Sequence, residues 1–148
     1  MRVRDLEPGD RLDWSDMRTQ LWPSTSDGHL GEIDEFYAGE SMDIKQVFVV
    51  EDGQRKPCGF IEINIRDFAE GSRSHRVPYV EGWFVCHACR GKGYGKALMI
   101  AAEQWARAQG CTELASDTEL HNTTSIAVHK KLGFVETERV VCFLKRLD

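Results

Sequence analysis

The stretch that decides the fold is VEGWFVCHACRGKGYGKAL, residues 80–98. It begins with an apolar segment typical of a buried strand and reaches, after a short turn, a loop with glycines at 91, 93 and 95. An Ala/Leu-rich helix follows. Glycines leave the backbone N–H groups of the loop unshielded, and the helix start adds unpaired donors and a positive dipole end. The stretch therefore predicts an anion site, most naturally one for phosphates.

The spacing of the glycines narrows the kind of phosphate site. A Walker loop ends in Gly-Lys-Ser/Thr, but Lys96 is followed by Ala97. Dinucleotide and kinase loops carry G-x-G-x-x-G, whereas this loop reads G-x-G-x-G. What remains, Arg90-x-x-Gly93-x-Gly95, resembles the pyrophosphate loop of the GCN5-related N-acetyltransferases (GNAT). In that superfamily the loop holds the diphosphate of acetyl-coenzyme A.

This resemblance implies a fold and a cofactor site. The expected fold is a single α/β domain over residues 1–148, with a mixed, twisted sheet, helices on both faces, and splayed central strands that form an acetyl-coenzyme A cleft. One N–H near Val85 is expected to face the thioester oxygen and to support the charge that develops there. The residues implied to bind the cofactor are Phe84, Val85, Arg90, Gly91, Lys92, Gly93, Tyr94, Gly95, Lys96 and Asn122.

The bulk properties exclude several classes of protein. A chain of 148 residues is long enough for one domain with a core, and its net charge of −5 argues against nucleic acid and is compatible with a cationic substrate. We expect no membrane partner and a cytoplasmic location, since no apolar run or signal peptide is evident. Five cysteines do not indicate a disulfide framework. Cys86 and Cys89 have zinc-knuckle spacing without a second pair, so we expect no metal.

Apolar periodicity predicts that strands and helices alternate along the chain from residue 79 onward. Strict alternation in the central strand would place Tyr79, Glu81, Trp83 and Val85 on one face. Asn122 predicts a helix N-cap. The predicted strands cover residues 2–6, 46–51, 59–68, 79–86, 112–118 and 134–147. Helices are expected around residues 14–21, 30–39, 96–110 and 122–132, with polar loops at residues 24–29 and 69–78.

Acetyl transfer to an amine needs a carboxylate that accepts a proton, because most amines are protonated near neutral pH. Glu81, in an otherwise apolar strand, and Asp117, at the end of the next strand, are the two candidates. GNAT enzymes often carry a tyrosine acid four residues before the glycine of a Gly-Phe pair, and here that position is His129. His129 is therefore a candidate general acid. The alternatives are that it only packs, or that the thiolate needs no acid.

A closer resemblance covers nearly the whole chain. It is to the aminoglycoside 6′-N-acetyltransferases, in which acidic residues surround the polyamine sugar, and it implies a cationic aminoglycoside substrate and a homodimer. The segments that carry it are Leu21-Trp22-Pro23, Glu81-Gly82, Phe84-Val85, Ala115 to Thr118, Asn122, Ser125, His129, Leu132 to Phe134 and Glu136 to Val140. The residues implied to contact the substrate are Trp22, Phe68, Tyr79, Glu81, Asp117 and Glu138, with the loop at 69–78.

Two other functions compete with this interpretation. A GNAT enzyme for another amine, such as a polyamine or a protein N-terminus, would share the acidic cleft but have less need of Trp22 and the long loop. A non-catalytic module that binds acetyl-coenzyme A belongs to a different class. The intact glycine loop together with Glu81 and Asp117 argues against the second alternative.

Overall fold

The computed structural model describes residues 1–24 and 29–148. Its strands are β1 (Arg2–Asp5), β2 (Gln46–Glu51), β3 (Pro57–Arg66), β4 (Val77–Val85) and β5 (Ala115–Ser116). Its helices are α1 (Arg11–Leu21), α2 (His29–Tyr37), α3 (Tyr94–Ala108) and α4 (Thr123–Lys131). Of the polar loop predicted at 24–29, residues 25–28 lie outside the described part of the chain, and His29 already belongs to α2.

The strands form one sheet in the order β1-β2-β3-β4-β5. Neighbours from β1 to β4 are antiparallel, whereas β5 runs parallel to β4. A parallel neighbour requires a crossover connection, and α3 supplies it. The predicted mixed α/β sheet is confirmed.

Helices cover both faces of this sheet. On one face, Trp14 and Met17 of α1 and Ile33 of α2 form a core with Phe60 and Phe84. On the opposite face, α3 packs against β2, β3 and β4. The buried residues of this second core are Val50, Cys58, Ile61, Ile63, Val80, Leu98, Met99 and Ala102. Two apolar layers against one sheet are the arrangement that buries both faces of its central strands.

A buried charge lies between α1 and β3. Glu62 is 1% exposed and accepts a hydrogen bond of 2.9 Å from Trp14 Nε1. Arg18 Nε forms an ion pair with it at 3.0 Å, although the angle is not that of an aligned hydrogen bond. Burial raises the pKa of Glu62 to about 7, against the opposing effect of Arg18. These contacts fix α1 over β3, so that the helix ends at Leu21 and Trp22 lies beside β4.

The C-terminal segment differs from its prediction. Residues 134–147 were expected to form a strand, but no strand is found after Ser116, and the strand predicted at 112–118 is reduced to Ala115–Ser116. Phe143 and Leu144 are 92% and 96% exposed. A segment becomes a strand only when another strand pairs with it, and within the described residues none does.

The described residues also contain no helix that is long and apolar enough to cross a membrane.

Candidate active site

The glycine loop connects β4 to α3 through a 3-10 turn at His87–Cys89. Gly91 and Gly93 have φ of +75° and +88°, a region that other residues enter only with strain, and Gly93 is the N-cap of α3. A Cβ atom built on either glycine would meet nothing within 4 Å. The outer side of the loop is therefore open, and the first N–H groups of α3 have no intrahelical acceptor. This loop provides the donors of an anion site.

Hydrogen bonds from Arg90 and Trp83 tie the loop to β4, and basic side chains lie beside it. Arg90 Nε donates to the carbonyl oxygen of Val85 at 2.8 Å, and its guanidinium lies 5.6 Å from the ring centroid of Phe84. Trp83 Nε1 donates to the carbonyl oxygen of Gly95 at 3.1 Å, which fixes the start of α3 on the strand. Lys92 is exposed. A diphosphate at the loop would therefore meet a helix start and at least one free cation.

The central strands separate just before the loop. β4 and β5 pair only at Tyr79↔Ala115 and Val80↔Ser116, while β4 continues to Val85 in register with β3. Beyond Val80, the β4 edge that faced β5 therefore has no strand partner among the described residues. This is the splayed arrangement that was predicted.

A cavity of about 390 Å³ opens beside the β4–β5 contact. Its lining includes carboxylates from the end of β5 and from the C-terminal segment. The lining residues that bear on function are Arg66, Tyr79, Ser116, Asp117, His129 and Glu138. Glu70 and Glu136 add further carboxylates to the same lining, and Lys130 and Arg139, which also line it, form ion pairs with Glu136. Several carboxylates in one concave site favour a ligand with several positive charges.

Tyr79 and Asp117 form the central contact of this cavity. The Tyr79 hydroxyl donates to Asp117 Oδ2 at 2.8 Å. Burial of the phenol, followed by its contact with the carboxylate, raises the pKa of Tyr79. The phenol therefore stays protonated at neutral pH and donates to one oxygen of Asp117, leaving Oδ1 for another partner.

Glu81 occupies a β-bulge, which corrects the predicted pattern of faces. Glu62 pairs with Gly82 and Ile63 pairs with Val80, so Glu81 is the extra residue between them. Val80 and Trp83 consequently pack on the α3 side, whereas Tyr79 packs with Ala69 and Val77. The prediction that Tyr79 and Glu81 share a face with Trp83 and Val85 was wrong, because a bulge reverses the alternation. Burial raises the pKa of Glu81, and Arg66 opposes that rise.

Residues 12–134 match the model of the acetyltransferase (GNAT) family. The chain belongs to the acetyltransferase (GNAT) family. Curated relatives of this chain are also described as acetyltransferases. Aminoglycoside N(6′)-acetyltransferase type 1 of Klebsiella aerogenes is 42% identical over 146 residues, covering 98% of this chain and 96% of that protein. The protein of the same description from Stenotrophomonas maltophilia is 36% identical over 147 residues, covering 99% and 94%.

Solved structures confirm the GNAT fold. The structure of AAC(6′)-Iy in complex with the bisubstrate analogue CoA-S-monomethyl-acetylneamine matches with a TM-score of 0.89 at 35% identity, covering 99% of this chain and 98% of that chain. The aminoglycoside 6′-N-acetyltransferase AAC(6′)-IG from Acinetobacter haemolyticus matches with a TM-score of 0.89 at 32% identity, covering all of both chains.

In this GNAT chain His129 has a partner on each ring nitrogen. Nδ1 lies 2.7 Å from the carbonyl oxygen of Ser125, to which it must donate, and Nε2 lies 2.8 Å from Ser116 Oγ. The neutral ring then donates through Nδ1 and accepts at Nε2. Trp83 and Phe134 also contact it edge-on, with centroids 5.4 Å and 5.2 Å away. This geometry favours a packing role, and the role of general acid stays a prediction.

Three other predicted residues, Asn122, Trp22 and Phe68, do not line the cavity. Asn122 Oδ1 accepts the N–H of Ser125 at 3.0 Å, so the predicted N-cap is confirmed while a cofactor contact stays a prediction. The ring of Trp22 lies against Gly82, leaving no room for a Cβ there, and it is not among the residues that line the cavity. Phe68 is 63% exposed, also outside that lining.

Sequence reasoning missed two polar residues of the cavity, Arg66 and Ser116. Arg66 follows Glu62 and Asn64 at alternate positions of β3, and this polar row was the signal that could have identified it. Ser116 lies in the segment from Ala115 to Thr118 that carries the resemblance, but no polar row distinguished it as a site residue. Among the described residues, no group of three or more ligating side chains is arranged to hold a metal ion.

Proposed function

We propose that this protein transfers the acetyl group of acetyl-coenzyme A to the 6′-amino group of aminoglycosides and thereby confers resistance to them. The observation that carries the proposal is the acidic cavity at the parting of β4 and β5, in a chain whose relatives of this name match it from end to end. Acetyl-coenzyme A supplies the activated acetyl group.

The residues that would hold the cofactor are those of the glycine loop and of the end of β4. The open faces of Gly91 and Gly93 admit a diphosphate to the backbone donors, and Lys92 adds charge. The carbonyl oxygen of Val85 is occupied by Arg90, so the N–H groups of the strand end are the better candidates for the cofactor arm. The residues present therefore fit a diphosphate-bearing cofactor.

Asp117 is proposed to accept the proton of the substrate ammonium at Oδ1. Tyr79 holds the other oxygen at 2.8 Å, which keeps the carboxylate in one orientation. Glu138 lines the same cavity and is proposed to bind a second ammonium group. Glu81 lies outside the cavity lining, paired with Arg66, and is proposed to add negative charge from the bulge. A substrate with several amino groups would engage Asp117 and Glu138 together.

A thiol-release assay tests this function. The purified protein receives acetyl-coenzyme A with kanamycin, with spermidine or with a peptide that has a free N-terminus. We expect release of thiol with kanamycin, and a much lower rate with the other two amines. Release with spermidine alone would identify a polyamine enzyme, and binding of coenzyme A without any release would identify a non-catalytic module.

We also propose that two copies of the chain associate through their C-terminal segments. Val141, Phe143, Leu144 and Leu147 are between 76% and 96% exposed. Exposed apolar side chains in such density are typical of an interface. A cavity of about 470 Å³ lies at the free side of β5 and is lined partly by Leu114, so it offers a place for another segment. Light scattering at micromolar concentration should give twice the mass of 16.9 kDa.

The cytoplasm is the proposed location. Cys58, Cys86, Cys89, Cys111 and Cys142 are all free thiols. Free thiols persist in a reducing compartment. Fractionation of cells that express the chain should recover it with the cytoplasmic proteins, and recovery from the periplasm would contradict the proposal.

A further inference from the structure

One arginine contacts two of the polar groups beside the cavity. Arg66 ends β3, and its Nη2 atom lies 2.5 Å and 3.0 Å from the two carboxylate oxygens of Glu81. Its guanidinium also covers the ring of Tyr79, with Cζ 3.6 Å from the ring centroid. Through the Tyr79 hydroxyl, this contact continues to Asp117. Arg66, Glu81, Tyr79 and Asp117 therefore form one connected polar cluster.

The fold brings these four residues together from three segments. Arg66 pairs with Val77 at the end of β3, so it lies diagonally across from Tyr79 on the neighbouring strand. The bulge at Glu81 turns its carboxylate toward Arg66. The cluster thus depends on strand register rather than on any local motif.

We propose that Arg66 is a positioning residue of acetyl transfer, which pairs with the Glu81 carboxylate and clamps the Tyr79 ring so that its hydroxyl orients Asp117. The inference rests on the proposed function. An arginine suits this role because its planar cation stacks on an aromatic ring while its N–H groups bind a carboxylate, a combination that lysine does not offer.

The charges around Glu81 make Arg66 important for its ionisation. Burial raises the pKa of Glu81, and the carboxylates of Asp117 and Asp43 raise it further, whereas Arg66 opposes these effects. Without Arg66, burial and these two carboxylates favour the protonated acid. A protonated Glu81 has no charge with which to attract an ammonium group. The Arg66 and Glu81 side chains are 39% and 20% exposed, and pairs of this kind contribute little to stability, so the variants should fold.

The test uses Arg66→Gln, Arg66→Lys and a matched control. Arg11→Gln removes another two-bond arginine–carboxylate pair, with Asp34 at 2.7 Å and 2.9 Å, on the α1–α2 surface. We expect Arg66→Gln to move the acidic limb of the kcat/KM profile upward by about one pH unit or more. Arg66→Lys should restore the charge and part of this shift, but not the rate that depends on Tyr79. Arg11→Gln should leave the profile unchanged.

A carbon-13 NMR titration of the Glu81 carboxyl group supplies a readout that needs no turnover. Its midpoint should rise in Arg66→Gln relative to the unsubstituted chain. An unchanged midpoint would overturn the inference, and so would a kcat/KM profile that superimposes on that of the unsubstituted chain. A lower KM in Arg66→Gln with no shift in pH would show that Arg66 only competes with the substrate cation, which also overturns it. If the unsubstituted chain acetylates no aminoglycoside, the proposed function fails while the titration still tests the pairing.

Discussion

The glycine loop allows a prediction in which two nearly identical perturbations have different consequences. Gly93 and Gly110 both have positive φ, +88° and +78°, and a Cβ atom on either meets nothing within 4 Å. Gly93 begins α3 in the proposed cofactor loop, whereas Gly110 follows the other end of the same helix. Gly93→Ala and Gly110→Ala therefore impose the same backbone strain, and only the first places a methyl group where a diphosphate would approach.

The magnitudes separate strain from binding. An alanine in the left-handed region costs ~1–2 kcal/mol, so both variants should lose stability to a similar extent. Each kcal/mol lowers the Tm by roughly 2–4 °C in a chain of about this size. Loss of one hydrogen bond to a charged group costs a further ~1.5–3 kcal/mol of binding free energy, which weakens coenzyme A binding by about 10- to 100-fold in Gly93→Ala alone.

Calorimetric titration with coenzyme A, together with thermal unfolding of the free proteins, measures both quantities. We expect the two Tm values to fall together and the dissociation constant to rise only for Gly93→Ala. Equal affinities for the two variants would refute the assignment of the loop. A loss of affinity in Gly110→Ala of the same size would show that strain transmitted through α3, and not the approach of the diphosphate, controls binding.

Three further predictions follow from the cavity, the core and the C-terminal segment. Asp117→Asn should lower kcat by about 10²–10⁴-fold because it removes the proton acceptor, whereas Glu138→Gln should mainly raise KM, by about tenfold. Steady-state kinetics with kanamycin distinguishes the two variants, and equal effects on KM alone would contradict the role of Asp117 as proton acceptor. Because the pKa of Glu62 is raised from 4.5 to about 7, the folded state takes up a proton that the unfolded state lacks, and unfolding free energy should fall as pH rises from 4.5 to 7. In Glu62→Gln, this fall of the unfolding free energy with pH, measured by urea titration, should be smaller by ~3 kcal/mol. An unchanged pH dependence of the unfolding free energy would argue against the buried acid. Leu144→Asp should give a monomer by light scattering, and a persistent dimer would exclude the C-terminal interface.

The parts of the site that the sequence predicted are those governed by local chemistry. Gly91 and Gly93 encode positive φ wherever the rest of the chain lies, and Asn122 caps α4 through a neighbour three residues away. The apolar periods of β2 and α3 similarly reflect one buried face each. Such features need only the residues that form them.

The remaining features depend on contacts between distant residues. The bulge at Glu81 arises from pairing with β3, and its ion pair joins residues 15 positions apart. The Tyr79–Asp117 hydrogen bond spans 38 positions. Residues 134–147 alternate well enough to predict a strand, yet a strand needs a partner, which one chain's periodicity does not specify. Arg66 continues the polar row of β3, but its role could not be predicted because it depends on the residues of the neighbouring strand.

The position of the acetyl group on the product decides whether this chain is a 6′-N-acetyltransferase. A 6′-amino aminoglycoside and a matched compound with a 6′-hydroxyl group are incubated separately with acetyl-coenzyme A and the protein, and the products are analysed by mass spectrometry and NMR. We expect a single acetyl group on the 6′ nitrogen of the first compound and no product from the second. Acetylation at another amine, or of both compounds at equal rates, would contradict it.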